Sequence, residues 1–411
     1  MITKLTLGNF RSIRDSEVEL GKINILTGPN NSGKSSIIYG LLALKNIILN
    51  PNQSLDSLLN LGFINLGGFE QAVYLKKETS AITLGIHVAE EEIASQYTVS
   101  LSKNDSMLSM NISKPYPLLM KIVVTFPYSG YQTADFEVSC SFGKARIQWT
   151  GISSQVSLTP SYGGISNMVV SGKSSEEILK DLNRSLNLPL EELRAVDFVP
   201  LRRGFTKPSY ASVPMQPQLI NEDELATLLA ANRELEAKVA HYLEPMVDRV
   251  FNVRSILGTA NFYLQSRDRS TGFICDLVNE GFGTNQLVTI LTKALREEMH
   301  TICIEESEIH LHPELIDKLV DIFVRISQDE NKSFIISTHS EHIVLSLLNK
   351  VANNRLKPED VRIYYLTKKG RDTVIEKQEV NDKGQVKGGL KGFYEAELKQ
   401  VRDFFGVTER E

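Results

Sequence analysis

The chain has 411 residues, enough for one large or two medium domains with ample core, and its 42% hydrophobic and 23% charged content is that of an ordinary globular protein. A net charge of -5 argues against blanket affinity for nucleic acid, and no stretch of ~20 apolar residues offers a membrane span. The three cysteines, Cys140, Cys275 and Cys303, are odd in number and set in apolar runs, so they read as buried reduced thiols, and Met1–Leu5 lacks the apolar core of a signal peptide; a cytoplasmic protein is expected.

Residues 2–26 cluster apolar side chains (Ile2, Leu5, Leu7, Phe10; Val18, Leu20; Ile23, Ile25) around a turn-like Arg14-Asp15, which predicts two or three strands. Gly28-Pro29-Asn30-Asn31-Ser32-Gly33-Lys34-Ser35 then matches the phosphate loop G-x-x-x-x-G-K-[ST] in full, between a buried-strand candidate at Ile23–Leu26 and a helix at Ser36–Leu44. Glycines at both ends let the loop curl until the amides of Asn30, Asn31, Ser32, Gly33 and Ser36 face a polyphosphate, beside the positive end of the helix. Lys34 then reaches the outer phosphates, and the Ser35 hydroxyl takes one place on an octahedral Mg²⁺.

Residues 53–62 read as a short helix, followed by Gly68-Phe69-Glu70-Gln71 in a loop. Five strands are predicted at Ala81–Val88, Tyr97–Leu101, Leu119–Phe126, Phe136–Phe142 and Ala145–Trp149, as an antiparallel sheet, and Ser153–Lys173 as a loop or linker. Helical spacing returns at Ser174–Leu186, and a strand at Ala195–Pro200 leads to Arg202-Arg203. A helical stretch from Asn221 to Phe251 fits a pair packed on the core or a dimer contact, and is too short for long coiled-coil arms. Strands at Leu257–Ser266 and Gly272–Leu277 precede Gly281–Gln286 and the helix Leu287–Leu295. Strand Thr301–Ile304, helix Pro313–Ile326, strand Ser333–Ser337 and helix Glu341–Val351 alternate as a parallel sheet with crossover helices does; strands near Val361–Leu366 and Asp372–Lys377 and a helix near Tyr394–Phe405 close the chain.

A phosphate loop needs a metal carboxylate and a base, and Ile302-Cys303-Ile304-Glu305-Glu306 supplies both at one strand end. Neighbouring strand residues point to opposite sides, so Glu305 can face the metal while Glu306 reaches an attacking water. Ser337-Thr338-His339-Ser340 follows the next apolar strand and places His339 to meet the terminal phosphate or the water. His310 and His312 with Glu308 do not complete a zinc ligand set, which leaves them to packing and subunit contact.

The phosphate loop, the run Ile304–Pro313 and the turn Thr338-His339-Ser340 together resemble the ABC-type ATPase heads of the RecF, SMC and OLD (overcoming lysogenization defect) group, and in particular stand-alone prokaryotic ATPases of the OLD-like branch. The resemblance covers Met1 to about Leu75 and about Asp197 onward. It implies an α/β P-loop NTPase fold, an ABC-type head with a mixed central sheet, an antiparallel β lobe and a helical insertion. The chain is accordingly divided at 1–160, 161–256 and 257–411. It further implies that Gly281–Gln286, with Gly283, Thr284 and Gln286, stands where such heads carry the signature that caps nucleotide held by a second subunit, although the Leu-Ser-Gly-Gly pattern is absent. Gln71 takes the place of a glutamine loop ligating metal or water, Arg11 that of a basic residue beside the nucleotide, and Arg202 and Arg203 are by the same token matched to phosphate or to a partner backbone. ATP and Mg²⁺ are the expected cofactors, and a homodimer or higher homo-oligomer through ATP-bound heads the expected assembly. DNA and a separately encoded nuclease or other effector are the implied partners, in DNA repair or anti-phage defence. The C-terminal segment is too short for a Toprim nuclease beside the remaining ATPase elements. An ATP-binding scaffold with little turnover and a transporter ATPase subunit are the competing readings.

Overall fold

The computed structural model describes residues 1–129, 132–140, 143–152, 154–157, 175–215, 221–256 and 258–390. The expected linker Ser153–Lys173 and terminal helix Tyr394–Phe405 lie largely or wholly outside these residues. The chain opens with β1 (Ile2–Phe10), β2 (Ile13–Glu19) and β3 (Ile23–Thr27), the last buried at every residue, and continues into α1 (Lys34–Leu49). Between 53 and 62 a single 3-10 turn, Ser57–Leu59, replaces the expected helix. Short polar side chains compete there for the backbone: Ser54 Oγ accepts from the Ser57 amide at 3.4 Å and Asn60 Oδ1 from that of Gly62 at 3.2 Å. The glutamine-bearing segment forms a short helix, α2 (Gly68–Ala72).

Strands β4 (Ile82–Ala89), β5 (Ala94–Leu101), β6 (Ser106–Lys114) and β7 (Leu118–Val124) then build an antiparallel sheet with β1 and β2, in the order β2-β1-β4-β5-β6-β7. Strand β6 is an addition to the expected set: Ser109, Asn111 and Ser113 follow Met107 on its outward side, and its buried apolar set is only Leu108, Met110 and Ile112. A small sheet follows from β8 (Ala134–Cys140), β9 (Gly143–Trp149) and β10 (Ser154–Ser157). Helix α3 (Ser175–Arg194) runs past the expected end at Leu186, through Pro189, and buries Ile178, Leu182, Leu186, Leu190 and Leu193 against the antiparallel sheet's core.

Next come β11 (Val196–Val199), β12 (Tyr210–Ala211), α4 (Glu222–Ala231) and α5 (Arg233–Val247). The helical stretch is thus a pair, broken at Asn232, whose backbone is extended and whose Oδ1 accepts from the Leu235 amide at 3.0 Å. It also ends earlier than Phe251: Asp248 turns left-handed at φ +53° and β13 (Arg249–Ser255) begins. There follow β14 (Asn261–Asp268), β15 (Ile274–Asp276), α6 (Phe282–Ala294), β16 (Thr301–Glu305), α7 (Pro313–Asp329), β17 (Ser333–Ser337), α8 (Glu341–Ala352), β18 (Val361–Lys369) and β19 (Asp372–Gln378). Cys303 is buried as expected, but Cys275, on the short strand β15 that pairs only with β14, is half-exposed; both are free thiols.

The central sheet runs β11-β16-β17-β3-β18-β19, parallel except for β19. Two apolar cores cover its faces. Cys303, Ile335 and Leu26 join the one formed by α1, α3 and the antiparallel sheet, whereas Ile302, Ile304, Ile336 and Ile25 join the one formed by α4 to α8. The described residues between 175 and 256 therefore serve both sides: α3 packs on the first core, β11 edges the central sheet, and α4 and α5 pack on the second.

Candidate nucleotide site

At the carboxyl edge of the central sheet three strand ends lie side by side, because Glu305 pairs with Ser337 and Ser337 with Leu26. The phosphate loop after β3, the twin acids after β16 and the histidine turn after β17 are thereby gathered at one crevice.

The loop's glycines answer to space as well as backbone. Gly28 lies at φ +136°, and an added Cβ would sit 2.1 Å from the Leu366 carbonyl oxygen; Gly33 lies at φ +106°, with Cβ room only 2.5 Å from Thr373 Oγ1. Helix α1 starts at Gly33 with no side-chain cap, which leaves its first amides for an anion. From behind, Thr373 Oγ1 donates to the Ser32 carbonyl at 2.9 Å and shares a 2.8 Å bond with Ser12 Oγ, so the β18–β19 hairpin braces the loop. Lys34 Nζ donates to the carbonyls of Gly28 and Pro29 at 2.9 and 3.0 Å. Burial lowers its pKa, and Glu306 and Glu308 oppose that shift.

Glu305 is buried and lies on the α1 side of the sheet, close enough to the Tyr39 hydroxyl to raise its pKa. Burial and Glu305 push that hydroxyl up to about 12, so it stays a donor. The Arg11 guanidinium lies over the Tyr39 ring at 5.4 Å, and Arg11 itself is in the left-handed region at φ +55°, its amide donating to the Ala72 carbonyl at 2.6 Å. Glu306 is also left-handed, at φ +44°; its amide donates to the Ser337 carbonyl at 2.8 Å and its Oε1 lies 3.8 Å from His339 Nε2. Burial, then Lys34, lowers the His339 pKa from 6.5 against the pull of Glu306, which keeps the imidazole neutral at pH 7. Two half-buried groups fix these geometries. Glu308 Oε1 accepts from Thr338 Oγ1 at 2.5 Å and from the His339 amide at 3.2 Å, its own pKa raised by burial. Arg203 donates to the carbonyls of Glu305 and Glu306, each at 2.6 Å, and of Pro200 at 3.1 Å.

The cleft so formed has a volume of about 610 Å³. Asn30, Asn31, Ser32, Gly33, Lys34, Ser35 and Ser36 line it from the loop, Glu305, Glu306 and His339 from the sheet, and Arg11 and Gln71 from the β1–β2 turn and α2. Gly283, Thr284 and Gln286 lie outside it. Gly283 and Thr284 are half-buried at the start of α6, while Gln286 is only 2% exposed and points into the protein, where it has no contact to offer a second subunit. Its neighbour Asn285 is structural, bonding the Phe205 amide at 2.7 Å and carbonyl at 2.8 Å. Arg202 is exposed, and Arg203 holds its own chain's backbone rather than phosphate or a partner.

Tyr39, Glu308, Ser12 and Thr373 had not been singled out for these roles. A polar ring inside the apolar run Ile37–Leu42 was a signal for Tyr39. Nothing marked Thr373, more than 300 residues from the loop it braces. His310 packs its ring on Phe282 at 4.9 Å and His312 caps α7, accepting from the Glu314 amide at 3.4 Å. Among the described residues no group of three or more His, Cys, Asp or Glu side chains is placed to hold a metal unaided. A magnesium triphosphate fits the donor set nonetheless: glycine cradle, uncapped helix start, Lys34, the Ser35 hydroxyl and the Glu305 carboxylate, with phosphate oxygens and water completing the shell.

A family model for the AAA ATPase domain matches residues 1–150 and 168–344. The chain belongs to that family. This AAA ATPase-domain protein is thus a P-loop ATPase of mixed α/β fold. No curated protein sequence matches it significantly. Similar solved structures include the SMC head domain from Thermotoga maritima, at 12% identity and TM-score 0.43, covering 92% of this chain and 99% of that one. An Smc head bound to the C-winged helix domain of ScpA gives 10% identity and TM-score 0.48, covering 92% and 98%. An Smc head with extended coiled coil, bound to the C-terminal domain of ScpA derived from Pyrococcus furiosus, gives 10% and 0.45, covering 98% and 99%. These likenesses are loose, and the reading of the ATPase site rests on its own geometry and on the family match. Among the described residues no helix is long and apolar enough to cross a membrane.

Proposed function

We propose that this chain binds Mg-ATP in the cleft and hydrolyses it, and that two copies close on the nucleotide so that hydrolysis drives a conformational switch. The observation that carries the reading is the convergence of Lys34, Ser35, Glu305, Glu306 and His339, from three strand ends, on one crevice. Ser35 and Glu305 would hold the metal, with the Tyr39 hydroxyl beside Glu305 in the same cleft. Mg²⁺ held there would supply charge neutralisation to the triphosphate. Glu306 takes the proton of the attacking water as its oxygen bonds to the γ-phosphorus and the bond to the β–γ bridging oxygen breaks, giving ADP and phosphate. Neutral His339 donates to the terminal phosphate or orients the water, and Lys34 balances the leaving charge.

The trans contact is assigned to the start of α6, where Gly281 carries no side-chain cap and Phe282 is 58% exposed beside the half-buried Gly283 and Thr284. The resemblance to RecF, SMC and OLD heads supports a cytoplasmic setting in DNA repair or anti-phage defence, with DNA or a separately encoded effector receiving the motion. The test is turnover with and without DNA, read beside chromatography with and without ATP. Glu306→Gln should retain nucleotide, lose phosphate release and elute as a dimer in ATP, while Lys34→Ala should lose nucleotide. Dimer formation by wild type without phosphate release under any of these conditions would replace the motor by an ATP-held scaffold.

A further inference from the structure

A second concavity, of about 110 Å³, lies away from the nucleotide cleft, between α1, the edge strand β11 and the chain around Leu61 and Phe63. Leu42, Lys45, Asn46 and Leu49 contribute one face of α1 at helical spacing, and Phe198 and Pro200 close the far side. Phe63, 36% exposed, lies against Phe198 at 4.3 Å and Tyr39 at 5.6 Å, so one wall is aromatic.

The floor is cationic. Asp197 is buried and takes Lys293 on one carboxylate oxygen and Arg296 on the other, both at 3.0 Å. Lys45, 8% exposed, enters the same floor from α1, its amine donating to the Val196 carbonyl. Among the described residues, two buried cationic heads thus pair with one buried carboxylate while a third, Lys45, meets only a backbone carbonyl; Glu298, the other acid on Arg296, has a side chain 56% exposed. Surplus positive charge in a low-dielectric floor is relieved by an anion, and an apolar wall beside it takes an apolar body. The space is several times the about 10–15 Å³ that admits a single water, so it takes a small organic anion with a ring rather than a lone water.

We propose that this concavity is a binding site for a small aromatic carboxylate, its anionic group on Lys45 and Lys293 and its ring against Phe63 and Phe198. The site does not depend on the ATPase reading, although α1 also carries the phosphate loop and α6, which carries Lys293, starts at the surface assigned to the trans contact. A ligand there would therefore touch both helices whose relative position a closing head must set.

Benzoate is the probe, titrated calorimetrically into the full chain without nucleotide. Saturable binding with Kd of about 0.1–1 mM is expected. Lys45→Met, which keeps the stem and removes the amine, should weaken it at least about tenfold with the circular dichroism unchanged, and benzyl alcohol, of like shape without charge, should bind at least about tenfold more weakly than benzoate. Lys34→Ala should leave the affinity unchanged, since the phosphate loop is a separate anion site. The proposal fails if wild type shows no saturable binding to about 20 mM. It fails equally if Lys45→Met or benzyl alcohol matches wild type with benzoate, or if Lys34→Ala abolishes the binding. Should Lys45→Met not fold, Phe63→Ala reads the aromatic wall instead, and an affinity unchanged there overturns the proposal.

Discussion

Replacing Arg203 by Met removes a guanidinium whose whole role is to hold backbone. Its N–H groups reach the carbonyls of Glu305 and Glu306 at 2.6 Å and of Pro200 at 3.1 Å. At about 1.5–3 kcal/mol for each bond from a charged donor, the three supply about 5–9 kcal/mol. Burial, which pushes the guanidinium down from 12.5 to about 10, is already contained in that net figure. The loss on substitution is then several kcal/mol, enough to lower the melting temperature clearly. The local effect is sharper. Glu306 holds φ at +44°, a conformation worth about 1–3 kcal/mol of strain in a residue with a side chain, and without the clamp on its carbonyl it relaxes. Its carboxylate then leaves His339. Phosphate release should fall at least about tenfold, equivalent to about 1.4 kcal/mol, while nucleotide affinity, set by the loop, changes less than about threefold. Steady-state phosphate release and fluorescent-nucleotide titration, both run well below the melting point, separate the two effects. Hydrolysis within about twofold of wild type in a folded Met variant would refute the carbonyl clamp as the device that aims Glu306.

Tyr39→Phe removes the hydroxyl beside Glu305, and the Mg²⁺ concentration needed for half-maximal turnover should rise about 10-fold; an unchanged metal requirement would make Tyr39 a packing residue only. Gly28→Ala forces a Cβ to 2.1 Å from the Leu366 carbonyl at φ +136°, so nucleotide binding and melting temperature should fall together, and an alanine variant that binds normally would contradict the packing described. The Lys45 amine is pushed down from 10.5 to about 8 by burial, with Asp197 opposing and Arg296 and Lys293 adding to the shift. Between about pH 8 and 10.5 the unfolded chain therefore binds the extra proton, so this group's penalty is full below pH 8 and relieved by up to about 3 kcal/mol as pH rises through that window. Denaturant melts of wild type and Lys45→Met across pH 7 to 11 should show a difference that shrinks as pH rises, and parallel curves would remove Lys45 from the account.

Local chemistry alone made much of this protein readable. The phosphate loop declares itself because only glycine tolerates its backbone and only a lysine and a hydroxyl suit its ligands, and Glu305-Glu306 and His339 follow short apolar runs that a buried parallel strand requires. The alternation of strands and helices after residue 300 reads off directly for the same reason. What the sequence left open was decided by contacts between distant segments. Thr373 reaches Ser32, Arg203 reaches Glu305 and Glu306, and Tyr39 faces Glu305 only because the order β11-β16-β17-β3-β18-β19 brings those segments together. The helix expected through Phe251 stops at Asp248 because β13 gains a partner in β14, a reward that local propensity does not register. Gln286 turns inward for a like reason: α6 buries that side against the second core, and a residue's spacing within a motif does not say which face of its helix the rest of the protein will cover.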